Sequence, residues 1–301
     1  MLQINVKRLL RDSRLCRAVL GVDGFELKRL DQLFSLSWQQ ACHTRKRDRQ
    51  RALGGGQKGA LPQILSKLVF ILLYLKAYPT FDLLGFFFGI DRSQACRWVH
   101  KLLPVLEGAL GRACVLPARK ISSMEEFFRA FPGARDIFID GTERPKQKPK
   151  NLKQRRKTYS GKKKQTTRKA IVICDEQRRI GYLSPSKSGR RHDKKLLDKS
   201  GIVPHIPTDV TVWADTGFQG LARQHPNTVM PRKASKKSPL TNEQKQNNRV
   251  ISSIRVLVEH ALSGIKRLAC MSGVYRNRKE NVDDKFALLS SGIWNLHLQT
   301  A

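Results

Sequence analysis

Between residues 61 and 107 apolar side chains recur at helical spacing, broken at two points. The strongly apolar run 61–76 stops at Tyr78-Pro79, where proline ends a helix. Thr80 caps a short second helix over 81–88, and Gly89-Ile90-Asp91 turns the chain into a third helix from Arg92 to about Leu103. Residues 1–44 mix apolar and charged positions at the same spacing, predicting short helices that pack on something else. From residue 134 the period changes. Residues 134–140 read as a buried strand, 170–175 and 180–184 as a hairpin around a charged turn, and 210–214 as another strand. Helices follow over about 247–268 and 282–297. Strand, hairpin, helix, strand, helix is an α/β order. The expected domains are 1–57, an N-terminal helical segment and basic linker; 58–118, a helix-turn-helix; and 119–301, an α/β domain.

In a helix-turn-helix the first turn of the last helix meets base edges. That assigns Arg92, Ser93, Gln94 and Arg97 to DNA, and Ala95, Val99 and Leu102 to the interior. A purely structural three-helix bundle has the same pattern. Charge weighs on the choice: 58 Lys and Arg against 24 Asp and Glu leave a formal +34. Such a chain calls for a polyanion, because each Lys or Arg set on a phosphate releases condensed counterions. The basic run 45–51, followed by Gly54-Gly55-Gly56, is either a solvated linker or an arm that tracks DNA. No apolar run approaches the ~18 residues of a membrane span, and the start lacks a secretory apolar stretch. The six cysteines are too scattered for a zinc or redox pair and suit a reducing cytosol.

Against this charge three carboxylates stand out. Asp140 and Asp215 each close an apolar strand run, and ligands gather at the carboxyl ends of strands in open α/β sheets. Glu259 lies in the 247–268 helix. At ~100° per residue Arg255, Glu259 and Lys266 form one narrow polar stripe, with Ile254, Val258, Ala261, Ile265 and Leu268 beside it as the buried face. Three converging carboxylates repel, and two Mg²⁺ (or Mn²⁺) ions remove the conflict. In that arrangement Asp140 bridges both ions while Asp215 and Glu259 hold one each. Asp193, in Gly189-Arg190-Arg191-His192-Asp193, is a helix cap, a group supporting the site, or a competitor of Asp215; His192 contacts phosphate or packs. From Arg144 to Lys169 there are 13 basic residues and no acid. This reads as a phosphate-gripping loop beside the site.

Taken in order, Asp140-Gly141-Thr142-Glu143-Arg144-Pro145, Tyr159-Ser160-Gly161-Lys162-Lys163-Lys164, His192-Asp193, Ala214-Asp215-Thr216-Gly217-Phe218-Gln219-Gly220, Arg255-x-x-x-Glu259-His260 and Tyr275-Arg276-Asn277-Arg278 resemble the bacterial insertion-sequence transposases of the DDE superfamily. Within it the chain looks like the insertion-sequence five group, related to Harbinger-type enzymes. The resemblance runs from about residue 61 onward. It implies an RNase H-like catalytic fold behind the helix-turn-helix, with Asp140, Asp215 and Glu259 as the metal triad. It also implies that Arg255, Lys266 and the lysines Lys162, Lys163 and Lys164 lie on DNA. Ser252 stands where relatives carry a tyrosine, and Gln165-Thr166 where they carry a basic-aromatic pair.

The expected function is therefore a DNA transposase of the cytoplasm and nucleoid. It binds terminal inverted repeats, cleaves at element ends and transfers 3′-hydroxyls to target DNA, as a homodimer or larger assembly on double-stranded DNA. The alternatives are a sequence-specific or domesticated DNA-binding protein without catalysis, and a purely hydrolytic nuclease.

Overall fold

A computed structural model describes residues 6–43, 60–235 and 239–300 of the chain. The basic run 45–51 and the three glycines after it lie outside the described residues. The chain divides into two compact units: Met1–Leu116 with Lys266–Gly273 and Leu289–Ala301, and Pro117–Ile265 with Val274–Leu288.

The first unit is helical. It contains α1 (Val6–Arg11), α2 (Ser13–Leu20), α3 (Gly24–His43), α4 (Ile64–Ala77), α5 (Phe81–Phe88) and α6 (Arg92–Arg112). A reciprocal cap starts α3: Asp23 N–H donates to Glu26 Oε2 at 2.7 Å and Glu26 N–H to Asp23 Oδ1 at 2.8 Å. Glu26 is buried, and its other oxygen lies 2.8 Å from His297 Nδ1 and accepts from Thr300 Oγ1 at 3.1 Å. Lys76 Nζ donates to Arg267 O, and Asn295 to Val115 O. These bonds explain a difference from the expected 119–301 domain, since 266–273 and 289–301 belong with the helical unit.

The helix-turn-helix forms as the pattern predicts. Thr80 Oγ1 accepts from Leu83 N–H, and Asp91 Oδ1 accepts from Gln94 N–H at 2.8 Å. Gly89 adopts a left-handed φ of 64° between the helices. Gly85 is needed for a different reason: a Cβ there would sit 2.4 Å from the carbonyl oxygen of Ile90. The last helix runs past the expected Leu103 and through Pro104 to Arg112. Burial of Leu102, Leu103, Val105, Leu106, Ala109 and Leu110 offsets the hydrogen bond that proline removes.

The second unit carries a mixed sheet behind α7 (Met124–Ala130). Its strands are β1 (Asp136–Pro145), β2 (Tyr159–Ser160), β3 (Gln165–Asp175), β4 (Ile180–Leu183), β5 (Lys187–Ser188), β6 (Thr211–Ala214) and β7 (Thr228–Val229). The path is β2-β3-β1-β6-β7, with β4 and β5 also on β3. Its helices are α8 (Leu152–Thr158), α9 (Asp193–Ser200) and α10 (Asn242–Lys266), and α11 (Ala269–Ser272) and α12 (Val282–Thr300) complete the chain. Ile137, Ile139, Ile171 and Ile173 share one core with Phe127, Phe131, Leu196 and Leu197. Helices beside a mixed sheet agree with the RNase H-like fold that the sequence resemblance implies.

Three expectations change here. The first strand does not end at Asp140; it continues to Pro145 because β3 stays paired with it from Ile137↔Asp175 to Pro145↔Thr167. The stretch 144–169 is not one loop but the end of β1, α8, and the β2–β3 turn. Two of its basic residues, Arg144 and Lys169, are buried. Helix α10 begins five residues early, at Asn242, because Thr241 and Gln244 exchange side-chain and backbone hydrogen bonds at its start.

Gly85→Ala is expected to lower stability by about 1–3 kcal/mol through the clash with Ile90 O. Urea unfolding checks it; a variant as stable as the parent would show that the turn relaxes freely.

Candidate active site

Parallel pairing of β1 with β6 brings two of the three expected carboxylates together. The register matches Ile139 with Ala214, so Asp140 and Asp215 follow side by side at the point where that pairing ends. Each carboxylate accepts a hydrogen bond from the next backbone N–H: Gly141 to Asp140 at 2.6 Å and Thr216 to Asp215 at 2.7 Å. Beneath them Phe138 and Trp213, a directly paired couple, stack at 14° with centroids 6.2 Å apart. Trp213 Nε1 is held by Asp136 Oδ1.

Between the two aspartates lies a cation. Arg255 of α10 places its guanidinium nitrogens 3.8 Å from Asp140 Oδ2 and 3.9 Å from Asp215 Oδ1, with its side chain only 10% exposed. Burial pushes the Asp140 carboxyl above the ordinary carboxylate range, and Asp215 adds to that. The Gly141 hydrogen bond, Arg255 and Lys162 pull the other way. One guanidinium against two ionised aspartates leaves the trio negative, so the pair still favours added positive charge. The expected stripe on α10 is therefore split. Arg255 points inward with Val258, Ala261 and Ile265, whereas Glu259 and Lys266 are exposed. Among the described residues no group of three or more His, Cys, Asp or Glu side chains is gathered as a metal site, and Glu259 is exposed on α10.

Asp193 serves the opposite face of β1. It is the first residue of α9, after His192 in the cap position. Its carboxylate packs where a Cβ on Gly141 would be, 2.6 Å from Oδ1. Lys169 Nζ binds it at 3.0 Å and binds Glu143 at 2.9 Å, and Thr167 Oγ1 donates to Glu143. Burial opposes the charge on Glu143, but Lys169 and Thr167 outweigh it and hold its pKa below the usual value. Burial likewise opposes the Lys169 charge, and its two carboxylate partners raise it regardless. Sequence reasoning missed this cluster because Glu143 and Lys169 meet only through the β1–β3 register, where they are direct partners.

The remaining expected contacts lie on surfaces. Lys162, Lys163 and Lys164 are exposed on the β2–β3 turn, and His192 is exposed in a 630 Å³ basic recess with Arg190, Arg191 and Lys195. In the helical unit Arg92, Ser93 and Arg97 are exposed on α6 and Gln94 is half-buried, while Ala95, Val99 and Leu102 are fully buried. Of the cysteines, all free, Cys16, Cys174 and Cys270 are buried, and burial raises the Cys16 thiol to about 11.

Comparison with known proteins gives the same two parts. Residues 139–290 match the family described as DDE superfamily endonuclease, and residues 60–111 match the helix-turn-helix of DDE superfamily endonuclease. A probable transposase for insertion sequence element IS702, from Microchaete diplosiphon, is 30% identical over 243 residues, which is 80% of this chain and 83% of that protein. No solved structure matches.

Lys169→Met is expected to destabilise the protein by about 2–4 kcal/mol at neutral pH, because two partly buried carboxylates lose their cation. Glu143 titrates low in the fold, so its contribution is present above the ordinary glutamate range and lost as pH falls through its depressed value. The difference between variant and parent should thus shrink below about pH 4. Urea unfolding across pH reads this; a penalty independent of pH would remove the ion pairs from the account.

Proposed function

The chain belongs to the DDE superfamily of endonucleases, as a transposase of the bacterial insertion-sequence kind, and from that premise we propose that it binds the terminal inverted repeats of its element, cleaves there and joins the freed 3′-hydroxyls to target DNA. It has a DNA-binding helix-turn-helix and an endonuclease domain. Membership of the insertion-sequence five group is part of the same reading and draws on the ordered motifs in the sequence.

One observation carries the catalytic half: two aspartates side by side where the β1–β6 pairing ends share a single buried arginine. The donor set fits a hard divalent cation, since it offers carboxylate oxygens and a residual negative charge. Asp140 and Asp215 would hold Mg²⁺ or Mn²⁺, two ions in all, with Glu259 as the third ligand one turn beyond Arg255. When bound, such ions activate a water or 3′-hydroxyl and stabilise the leaving oxygen. Asp193 stays outside that set, because Lys169 already engages it.

The protein side chains supply the rest. Arg255 balances the aspartates and is within reach of a phosphate brought to them. Lys162, whose charge acts on Asp140, grips the strand near the cut with Lys163 and Lys164. Lys266 adds a further phosphate contact, and Arg92, Ser93, Gln94 and Arg97 read the repeat. Synapsis of two ends requires at least a dimer on DNA, in the cytoplasm at the nucleoid. The exposed position of Glu259 favours the competing reading, DNA binding without chemistry.

A Mn²⁺-dependent nicking assay on an end-sequence duplex decides between them. Asp140→Asn, Asp215→Asn and Glu259→Gln are each expected to cut activity on the order of 10²–10³-fold or more, with duplex affinity close to the parent. Cleavage surviving all three substitutions would sink the catalytic assignment. Arg92→Ala and Gln94→Ala should each cost about 1–3 kcal/mol on the cognate repeat and relax sequence preference. A loss equal on all sequences would assign those side chains to phosphates instead.

A further inference from the structure

A second basic site lies further along β1. The backbone beyond β1 pairs with the 275–279 segment: Tyr275 N–H donates to Pro145 O at 2.8 Å and Gln147 N–H to Tyr275 O at 3.1 Å. Lys146 and Tyr275 form an isolated parallel bridge. Beneath it the Arg144 guanidinium stacks on the Tyr275 ring, 4.4 Å from its centroid, and lies 5.5 Å from Phe286. The resulting cleft is about 710 Å³, and seven lysines and arginines line it against two acids, Glu280 and Asp283. Asp283 is already paired with Arg168. Of that lining, Lys148, Lys150, Arg276, Arg278 and Lys279 are exposed.

We propose that this cleft seats backbone phosphates of duplex DNA about six base pairs from the scissile phosphate. The inference rests on the DNA-cleaving function above. Its position follows from strand geometry. Lys146 shares the side-chain alternation of Asp140, six residues away, and at ~3.3 Å per residue the two are about 20 Å apart. A duplex advances ~3.4 Å per base pair along its axis, so a duplex lying along β1 covers that span in about six base pairs. The lining selects a backbone over a nucleotide cofactor. A bound base needs an apolar or aromatic face, and the aromatic ring here, Tyr275, is 4% exposed and covered by Arg144. Cations delivered by three chain segments across an open cleft suit successive phosphates.

The test uses the full-length protein and a duplex of the element's terminal repeat with its flank. Binding is measured across a salt series for the parent and for Arg276→Ala/Arg278→Ala. Both side chains are exposed, and thermal unfolding should coincide for the two proteins. The double variant is expected to lose affinity on the order of tenfold, and the slope of log K against log salt should fall by about 2. Neutral methylphosphonates placed singly along either strand should weaken the parent most about six base pairs from the cut and leave the variant indifferent there. If the parent binds but the variant keeps the full slope and the same methylphosphonate profile, the cleft assignment fails and the transposase reading stands. If the parent itself does not bind the duplex, both fail.

Discussion

Successive residues of β1 point to opposite faces of the sheet, and the two sets they form do different work. Ile137, Ile139, Gly141 and Glu143 face the hydrophobic core and the Lys169–Asp193 pair. Phe138, Asp140, Thr142 and Arg144 face Trp213, Arg255 and Tyr275. Nine consecutive pairs with β3 hold this alternation in register. A slip of one residue would send Asp140 into the aliphatic core and Ile139 toward Arg255. The positions of both charged clusters follow from that one register.

The two clusters also differ in how their charge is met. On the core side Lys169 stands between two carboxylates within about 3 Å, and Gly141 makes room for one of them. That arrangement is closed. On the other side Arg255 reaches both aspartates only at the limit of an ion pair. The longer contacts and the burial that raises Asp140 leave that cluster receptive to more positive charge. Side-chain alternation thus separates a closed salt-bridge group from one open to added cations, though the residue types are almost the same.

Much of this was legible in the sequence where the signal is local. The helix-turn-helix could be read because Thr80, Gly89 and Asp91 act on backbone within a few residues of themselves. The placement of Asp140 beside Asp215 follows from two neighbouring strands, although only β6 ends there and β1 runs on. Relations set by register or by long-range packing were not legible. The inward turn of Arg255 is one, since helical spacing puts it on a stripe with Glu259 and cannot say which face is covered. The Glu143–Lys169 pair is another, with 25 intervening positions hidden by a helix and a hairpin. The continuation of β1 past Asp140 was masked by polar residues that pair with β3 all the same.

The Glu26 carboxylate joins the two ends of the chain. It caps α3 near the beginning and is satisfied by His297 and Thr300 some 270 positions later. Until residues 297–300 have been made, an interior acid in the helical unit lacks these partners. The helical unit is therefore complete only once residues 297–300 have been made. A nascent or prematurely terminated polypeptide would leave that unit incomplete, which delays engagement of DNA until the catalytic half has also been made.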